Sequence, residues 1–150
     1  MKRIYLLLTF FFFTGYTYSQ TNEDSVKAAV NKLFEGMKNS NASLITESFA
    51  DSAILQTIAN GGDGKISIRS EKVALFADVV GKSPKGALDE RIVFGSIKID
   101  GNLASVWTPY SFYYNGQFSH CGVNSFQLVR INGDWKIQYL IDTRRKLGCE

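Results

Sequence analysis

The chain has 150 residues, the length of one ordinary domain, and a formal net charge of +3 from 17 basic and 14 acidic residues. Lys2 and Arg3 supply two of the 17 basic residues, so the rest of the chain is close to neutral. Nucleic-acid binding requires a basic face, which a near-neutral domain does not offer. The composition therefore predicts one domain with one hydrophobic core and no nucleic-acid partner.

The first 19 residues have the pattern of an export signal. A positive start is followed by an apolar run over residues 4–13 and then by a small, polar stretch. Thr17 and Ser19 occupy the −3 and −1 positions of a cleavage site before Gln20. The apolar run is shorter than the roughly 20 residues that cross a bilayer, so we predict no membrane span. We expect residues 1–19 to be a signal peptide and residues 20–150 to be a single exported domain, periplasmic or secreted.

Cys121 and Cys149 are the two cysteines of the chain. An oxidising compartment permits a disulfide between them, and two separate thiols are the alternative. His120 and Cys121 are adjacent, so on a strand their side chains point to opposite faces and cannot share a metal ion. Because the sequence also lacks a phosphate-binding P-loop, an H-E-x-x-H motif and a C-x-x-C motif, we predict neither a metal nor a cofactor.

The first half of the domain has helical patterning. Apolar residues recur at helical spacing between Asp24 and Asn39, with Thr21 and Asp24 in the arrangement of a capping box. A second, shorter helix is predicted from an N-cap at Asn41 to Phe49, followed by a strand over residues 52–58. A third helix is predicted over residues 71–80, with Ser70 as its N-cap.

The second half is predicted to be a sheet. The dipeptides Asp100-Gly101, Asn115-Gly116 and Asn132-Gly133 are favoured two-residue hairpin loops, and they divide residues 89–145 into four long strands. Four strands joined by tight hairpins form an antiparallel meander. Helices followed by a curved sheet make an α+β fold.

Tight hairpins also fix which side chains share a face. Strict register pairs Phe118 with Tyr113, His120 with Ser111 and Asn124 with both Trp107 and Ile141. One face is then predicted to carry Trp107, Tyr113, Phe118, His120, Asn124, Phe126, Leu128, Ile137 and Tyr139. The other face is predicted to carry Val106, Thr108, Tyr110, Phe112, Tyr114, Cys121, Val123 and Leu140. A β-bulge at Gly122 is an alternative that would change the placement of His120.

Both predicted faces are too apolar for a sheet with one side in water. We expect the face with His120 to cover the helices and the other face to meet a second copy of the chain, as a homodimer through the sheet. Asp142, the one acid well inside the last strand, is predicted to point away from His120.

Four segments carry a resemblance to a known family: residues 104–113 (ASVWTPYSFY), 118–123 (FSHCGV), 126–128 (FQL) and 135–137 (WKI). With the helices before them, they resemble the nuclear-transport-factor-2-like proteins, which include ketosteroid isomerases and SnoaL-like cyclases, and within these the bacterial group labelled putative lumazine-binding. The resemblance implies a cone of three N-terminal helices packed on a curved antiparallel sheet, with a deep pocket between them.

Members of this superfamily isomerise, cyclise, dehydrate or only bind their ligands, so the fold does not choose among functions. The acid, Tyr and Asp set of ketosteroid isomerases and the Asp–His pair of cyclases have no match in this sequence. His120, the single histidine, is the candidate general acid/base. The predicted ligand-binding residues are Trp107, Tyr110, Tyr113, His120, Asn124, Phe126 and Tyr139.

The preferred hypothesis is an exported protein that binds a small, partly apolar molecule in an aromatic-lined pocket without chemistry. One alternative is an isomerase, cyclase or hydrolase that uses His120. Another is a protein-interaction scaffold, whose pocket its own side chains would fill.

Overall fold

The computed structural model describes residues 21–61 and 64–149. The signal peptide predicted for residues 1–19 lies outside the described residues. Within the described ranges, no helix is long and apolar enough to cross a membrane.

Three helices precede most of the sheet: α1 (Asn22–Lys38), α2 (Ala42–Ser48) and α3 (Val73–Lys82). The predicted caps of the first two are confirmed, because the Thr21 side chain accepts a hydrogen bond from the Asp24 N–H and the Asn41 side chain accepts one from the Leu44 N–H.

The cap predicted for the third helix is wrong. Helix α3 begins at Val73, after Lys72, and its N-terminus has no side-chain cap. Ser70 lies instead in a strand, where its hydroxyl accepts a hydrogen bond from the Gln56 side chain at 3.0 Å. A hydroxyl already used across a strand pair is not available to start a helix.

Seven strands form one sheet: β1 (Phe49–Asn60), β2 (Ile66–Glu71), β3 (Leu88–Ile92), β4 (Ser96–Asp100), β5 (Leu103–Tyr114), β6 (Gln117–Ile131) and β7 (Asp134–Thr143). Their order is β2-β1-β7-β6-β5-β3, with β4 also beside β5. The α+β class is confirmed, and β5, β6 and β7 form the expected antiparallel meander. Strand β1 runs parallel to β7, so the curved, open sheet as a whole is mixed.

The first predicted strand of the meander is broken in two. Both β3 and β4 pair with β5, and the three residues 93–95 between them lie opposite Thr108 and Pro109. Pro109 has no N–H to offer the ladder, so the pairing is interrupted there. The break separates β3, which carries Glu90, from β4.

Two of the three predicted hairpin loops are confirmed. Asn115 and Gly116 have φ of 49° and 78°, and Asn132 and Gly133 have φ of 52° and 92°, as a type I′ loop requires. At the first hairpin the loop lies one residue later than predicted, because Asp100 pairs with Leu103. Gly101, with φ of 55°, is then the first loop residue.

Two β-bulges overturn the predicted register. Tyr113 pairs with Phe118 as expected, but the next pair is Phe112 with His120, so Ser119 is an extra residue of β6. Gln138 is likewise extra in β7, between the pairs Leu128–Ile137 and Gln127–Tyr139. Asn124 therefore lies opposite Thr108 and Asp142, and not opposite Trp107 and Ile141. The bulge considered at Gly122 is at Ser119 instead.

These bulges reassign the two faces. His120, Asn124, Phe126, Leu128 and Ile137 do face the helices, but the register joins them to a different set of neighbours. The inner face also carries Val106, Thr108, Tyr110, Phe112, Leu140 and Asp142. The outer face carries Trp107, Tyr113, Phe118 and Tyr139 beside Cys121 and Val123. Asp142 thus lies on the same side of the sheet as His120, and the prediction that it points away was wrong.

The core lies between the inner face and the helices. Helix α1 contributes its predicted stripe, in which Val26, Val30, Leu33, Phe34 and Met37 are buried. The ring of Phe34 meets the ring of Phe126 edge to face, with centroids 6.2 Å apart. This contact joins the first helix to the middle of the longest strand.

Of the two alternatives for the cysteines, the structure has the disulfide between Cys121 and Cys149, with their Cα atoms 5.8 Å apart. It closes a loop of 28 residues and fastens the C-terminal segment to the outer side of β6.

Truncating Phe126 tests this arrangement of the core. Phe126 is fully buried, so Phe126→Ala is expected to lower the free energy of unfolding by about 3–5 kcal/mol, as buried Phe→Ala changes do. Leu75→Ala in α3 is the control, because Leu75 is 59% exposed and lies away from the sheet. Urea unfolding followed by circular dichroism measures both. Equal losses would contradict the placement of Phe126 in the core.

Candidate functional site

Two adjoining cavities of about 70 and 150 Å³ lie between the helices and the inner face of the sheet. Both are lined by Met37, Phe76, Glu90, Asp142 and Arg144. The first also reaches Leu33, Phe34, Leu55, Thr57, Glu71, Asn124 and Leu140. The second also reaches Val79, Val80, Leu88, Tyr110, Phe112 and His120. We call the two together the helix–sheet cavity.

The walls of the helix–sheet cavity are apolar on the helix side and polar on the sheet side. Helices α1 and α3 contribute Phe34, Met37 and Phe76, whereas the sheet contributes the polar groups. We call Glu90, Tyr110, Asn124, Asp142 and Arg144 the polar cluster.

Glu90 and Asn124 form the first half of the polar cluster. The Asn124 Nδ2 donates to Glu90 Oε1 at 2.7 Å. Glu90 lines the cavity and is half-buried as a whole, but its carboxyl group is buried. That burial raises the pKa of Glu90 to about 7; the nearby Asp142 adds to the rise, and the Asn124 hydrogen bond and Arg144 oppose it. Near neutral pH, Glu90 is therefore shared between its acid and its carboxylate form.

Asp142, Arg144 and Tyr110 form the second half. Asp142 is buried, and its Oδ2 accepts a hydrogen bond from Arg144 Nε at 2.8 Å. The Tyr110 hydroxyl lies 3.2 Å from the same Oδ2 and 2.9 Å from the Thr143 carbonyl oxygen. Burial, followed by the charges of Asp142 and Glu90, raises the pKa of Tyr110, so this hydroxyl remains a donor. Asp142 is thus compensated by a cation and a phenol.

His120 lies at the edge of the cavity and packs on aromatic rings. Its ring centroid is 5.0 Å from that of Phe112 and 5.8 Å from that of Tyr110. Its Nδ1 is 3.0 Å from the Ser119 hydroxyl. Burial and the positive charge of Arg144 lower the pKa of His120, which favours the neutral ring near pH 7. A neutral imidazole can accept a proton, but the hydrogen-bond partner of His120 is the Ser119 hydroxyl and not a carboxylate.

Three of the seven predicted ligand-binding residues line the helix–sheet cavity: Tyr110, His120 and Asn124. Phe126 belongs to the core beneath it. Trp107 and Tyr113 lie on the outer face, where the Arg91 guanidinium stacks over the Tyr113 ring at 4.0 Å. Tyr139 is also outside and donates its hydroxyl to Gln56 at 2.9 Å. The register places Trp107, Tyr113 and Tyr139 on the side of the sheet away from the cavity, and ligand contact by Tyr110, His120 and Asn124 stays a prediction.

Sequence reasoning missed Glu90, Asp142 and Arg144 as site residues. Glu90 stands in an alternating segment, LDERI, which matches a half-exposed strand as well as a buried one. Arg144 lies in the run Arg144-Arg145-Lys146, a pattern typical of a solvated strand end, and Asp142 was predicted on the wrong face. The available signal was an acid beside apolar residues in each of two strands: Glu90 lies between Leu88 and Ile92, and Asp142 follows Leu140 and Ile141. Among the described residues, no group of three or more His, Cys, Asp or Glu side chains could hold a metal ion.

Replacing Glu90 tests its buried acid. A carboxyl whose pKa is raised by folding reduces stability once the unfolded chain ionises, above about pH 4.5, and the loss is complete above about pH 7. Glu90→Gln keeps the acceptor for Asn124 and is expected to stabilise the protein at pH 8, by up to about 3 kcal/mol, with little effect at pH 4.

Urea unfolding at both pH values measures this effect. Glu35→Gln, which removes the same charge from an exposed position of α1, is the control and is expected to stay within about 0.5 kcal/mol of the original protein. A Glu90→Gln effect that is the same at pH 4 and pH 8 would show that the carboxyl is not held protonated.

Comparison with known proteins identifies the family. The family described as "Putative lumazine-binding" matches residues 21–139, and the chain belongs to it. No curated protein matches the sequence.

Solved structures of the nuclear transport factor 2 (NTF2)-like fold are similar to the chain. An NTF2-like protein of unknown function from Shewanella baltica is 18% identical, with a TM-score of 0.67 over 87% of this chain and 98% of that one. A second, from Methylobacillus flagellatus, is 16% identical, with a TM-score of 0.64 over 85% and 95%. A Streptomyces avermitilis protein described as a putative dehydratase of the NTF2-like family is 12% identical, with a TM-score of 0.63 over 82% and 95%. At these identities the likeness establishes the NTF2-like fold.

Proposed function

We propose that this member of the "Putative lumazine-binding" family is exported and binds a small, partly apolar molecule in the helix–sheet cavity. The proposal rests on a cavity with apolar residues on the helix side and the polar cluster on the sheet side. The net charge of this cluster is zero or negative, depending on whether Glu90 is protonated. Such a cavity suits a ligand with a flat ring, whose faces are buried against apolar side chains and whose polar edge forms hydrogen bonds. A chamber of about 150 Å³ has the size that accepts a single aromatic ring, and the adjoining chamber extends it.

The polar cluster supplies both kinds of hydrogen-bonding group. Asn124 donates one N–H to Glu90, which leaves its second N–H and its carbonyl oxygen for other partners. Protonated Glu90 adds an O–H donor, and ionised Glu90 adds acceptors. Opposite them, the Arg144–Asp142 pair holds a fixed cation and anion at the cavity wall. A heterocycle with an amide edge, such as the lumazine named in the family description, matches this alternation of donors and acceptors.

A catalytic function is the second candidate, and Glu90 favours it more than His120 does. A buried carboxyl with a pKa of about 7 can both give and take a proton at neutral pH. His120 has the Ser119 hydroxyl as its partner, so no carboxylate orients it. Binding alone remains the preferred function. The described residues beside Glu90 do not form a nucleophile or an oxyanion site of defined geometry. A scaffolding role receives less support, since the side chains leave the cavity open.

Lumazine binding is measured by equilibrium dialysis at pH 7, with its own fluorescence as the signal. Asn124→Ala is expected to weaken the affinity about 10–100-fold, because a polar edge of the ligand is left unpaired in the cavity. Gln127→Ala is the matched control, since Gln127 is an amide on the same strand whose side chain lies on the outer face, bonded to Ser105. Equal affinity in the two variants would contradict binding at Asn124. Lumazine recovered chemically altered from the original protein, but not from Glu90→Gln, would favour catalysis.

We also propose a homodimer formed through the outer face of the sheet. Exposed apolar side chains run across this face from β2 to β5, among them Ile68, Ile54, Phe118 and Trp107. Apolar surface of this extent on one face is typical of an interface. The pairing surface is thus the face of Trp107, and not the face of Tyr110 and Phe112 that strict register predicted.

Sedimentation equilibrium tests the dimer at micromolar concentration. The original protein is expected to sediment as a dimer and Trp107→Lys as a monomer, because an ammonium group would be buried unpaired between the copies. Leu75→Lys, at an equally exposed apolar position of α3, is expected to leave the dimer intact. A monomeric original protein would contradict the proposal.

A further inference from the structure

The last residues of the chain form a strap across the end of β6. We define the strap as residues 144–149. The backbone N–H of Cys121 donates to the Arg145 carbonyl oxygen, and the Arg145 N–H donates to that of Cys121, both at 2.9 Å. Five residues from the start of the strap, Cys149 is joined to Cys121 by the disulfide. Cys121 therefore holds the strap twice, once through the backbone and once through sulfur.

The C-terminal end of β7, which leads into the strap, lies so close to β6 that a side chain at position 122 would not fit. A Cβ added at Gly122 would collide with the backbone of Thr143 and would lie 2.8 Å from the Tyr110 ring. The Thr143 hydroxyl also accepts a hydrogen bond from the Val123 N–H at 3.1 Å. This close packing places Arg144, the residue after Thr143, at the cavity wall.

The strap has two sides with different roles. On the outer side is the disulfide. On the inner side, Arg144 donates to Asp142 at 2.8 Å and to the Thr57 hydroxyl at 3.2 Å, and it lines both chambers of the helix–sheet cavity. Arg144 is about half exposed, so solvent screens its pairing with the buried Asp142, and a screened ion pair contributes about 1 kcal/mol.

That is no more than the cost of fixing the backbone of one residue, about 1–2 kcal/mol, so the pair does not by itself hold the chain end in place. The position of Arg144 thus depends on the attachment of the strap, and the disulfide is its covalent part.

We propose that the Cys121–Cys149 disulfide is a redox control on the helix–sheet cavity, which holds Arg144 against Asp142 when oxidised and releases it when reduced. A dithiol reductant would open it: the sulfur–sulfur bond breaks, two electrons and two protons pass to Cys121 and Cys149, and the dithiol becomes a disulfide. The strap, then held only by its backbone bridge at Cys121, withdraws the cation, and the cavity keeps its acids Glu71, Glu90 and Asp142 without it. The effect of reduction on ligand choice rests on the proposed binding function. The effect of reduction on the ionisation of Glu90 does not.

The charge at Glu90 reports on the strap without any ligand. The groups near its carboxyl are Asn124, Asp142, Tyr110 and Arg144, with the apolar Phe34, Met37 and Phe76 on the helix side. Of these, Arg144 is the cation, and its charge lowers the pKa of Glu90. Removal of Arg144 from the cavity is therefore expected to raise that pKa.

The experiment is a carbon-13 NMR titration of Glu90 in the oxidised protein, the protein reduced with dithiothreitol, and the double variant Cys121→Ser/Cys149→Ser. The pKa of Glu90 is expected to rise in both disulfide-free forms and in oxidised Arg144→Gln, by a similar amount. Lys146→Gln is the matched control, because it removes the same charge from the strap two residues away, and it is expected to titrate like the original protein.

A role in stability alone predicts a different result. If reduction lowers the melting temperature but leaves the pKa of Glu90 unchanged while Arg144→Gln raises it, the redox control is overturned. Should the disulfide-free forms unfold, a variant with two glycines inserted after Lys146 keeps both cysteines and slackens the strap, and it is expected to show the same rise. An unchanged pKa in that folded variant would overturn the proposal equally.

Lumazine dialysis against the oxidised and reduced proteins separates this proposal from the binding function. Failure of the oxidised protein to bind lumazine contradicts the binding function only, because the Glu90 titration decides the coupling without a ligand. Equal lumazine affinity in the two forms, with a changed Glu90 pKa, would overturn the part of the proposal that concerns ligand choice.

Discussion

The alignment of β5, β6 and β7 by two single-residue bulges is the constraint on which the site depends. Side chains alternate along a strand with a period of two. A bulge that inserts one residue therefore changes which side chains of the neighbouring strand share a face with those of β6. Ser119 brings Tyr110 and Phe112 to the side of His120. Gln138 brings Leu140 and Asp142 to the side of Asn124. Without either bulge, the polar cluster would be divided between the two sides of the sheet.

The polar cluster is costly to place against apolar helices, and its internal hydrogen bonds offset only part of that cost. A buried carboxylate is stabilised by donors or by a cation, and Asp142 has both in Tyr110 and Arg144. Glu90 has one amide donor and responds to burial by holding its proton. A core built only for stability would use apolar residues of similar size at these positions. Polar groups retained around an open cavity therefore favour a binding role over a purely structural one.

Much of the fold could be predicted from local sequence. The stripe of α1, the caps Thr21 and Asn41, and the loops at Asn115 and Asn132 are set by neighbouring residues, and all agree with the structure. The position of β1 beside β7 could not be predicted, because a parallel pair is joined by a long crossover that leaves no local signal. The order of helices and sheet followed from local patterns, and the family resemblance added the pocket between them, which local patterns leave open.

The site was harder to predict than the fold, for a physical reason. A bulge residue has no characteristic type: Ser119 and Gln138 are polar residues that also suit a regular strand. Tyr110, His120 and Asn124 were found because aromatic and single polar residues stand out on a strand. Glu90 and Arg144 were missed because charged residues near strand ends usually face water, and only the three-dimensional contacts show them turned inward.

The placement of Arg144 on the chain end, and not within a strand, follows from the same alternation. Residue 144 continues the inward series of Leu140 and Asp142, yet the regular strand stops at Thr143. A long cation at that point can reach the cavity wall while about half of its side chain remains exposed, which limits the desolvation cost of its charge. The backbone that carries it then lacks the neighbouring strand pairs that hold Asp142. The bridge at Cys121 and the disulfide at Cys149 replace those pairs, so the outer face of the sheet fixes a charge that acts on the inner face.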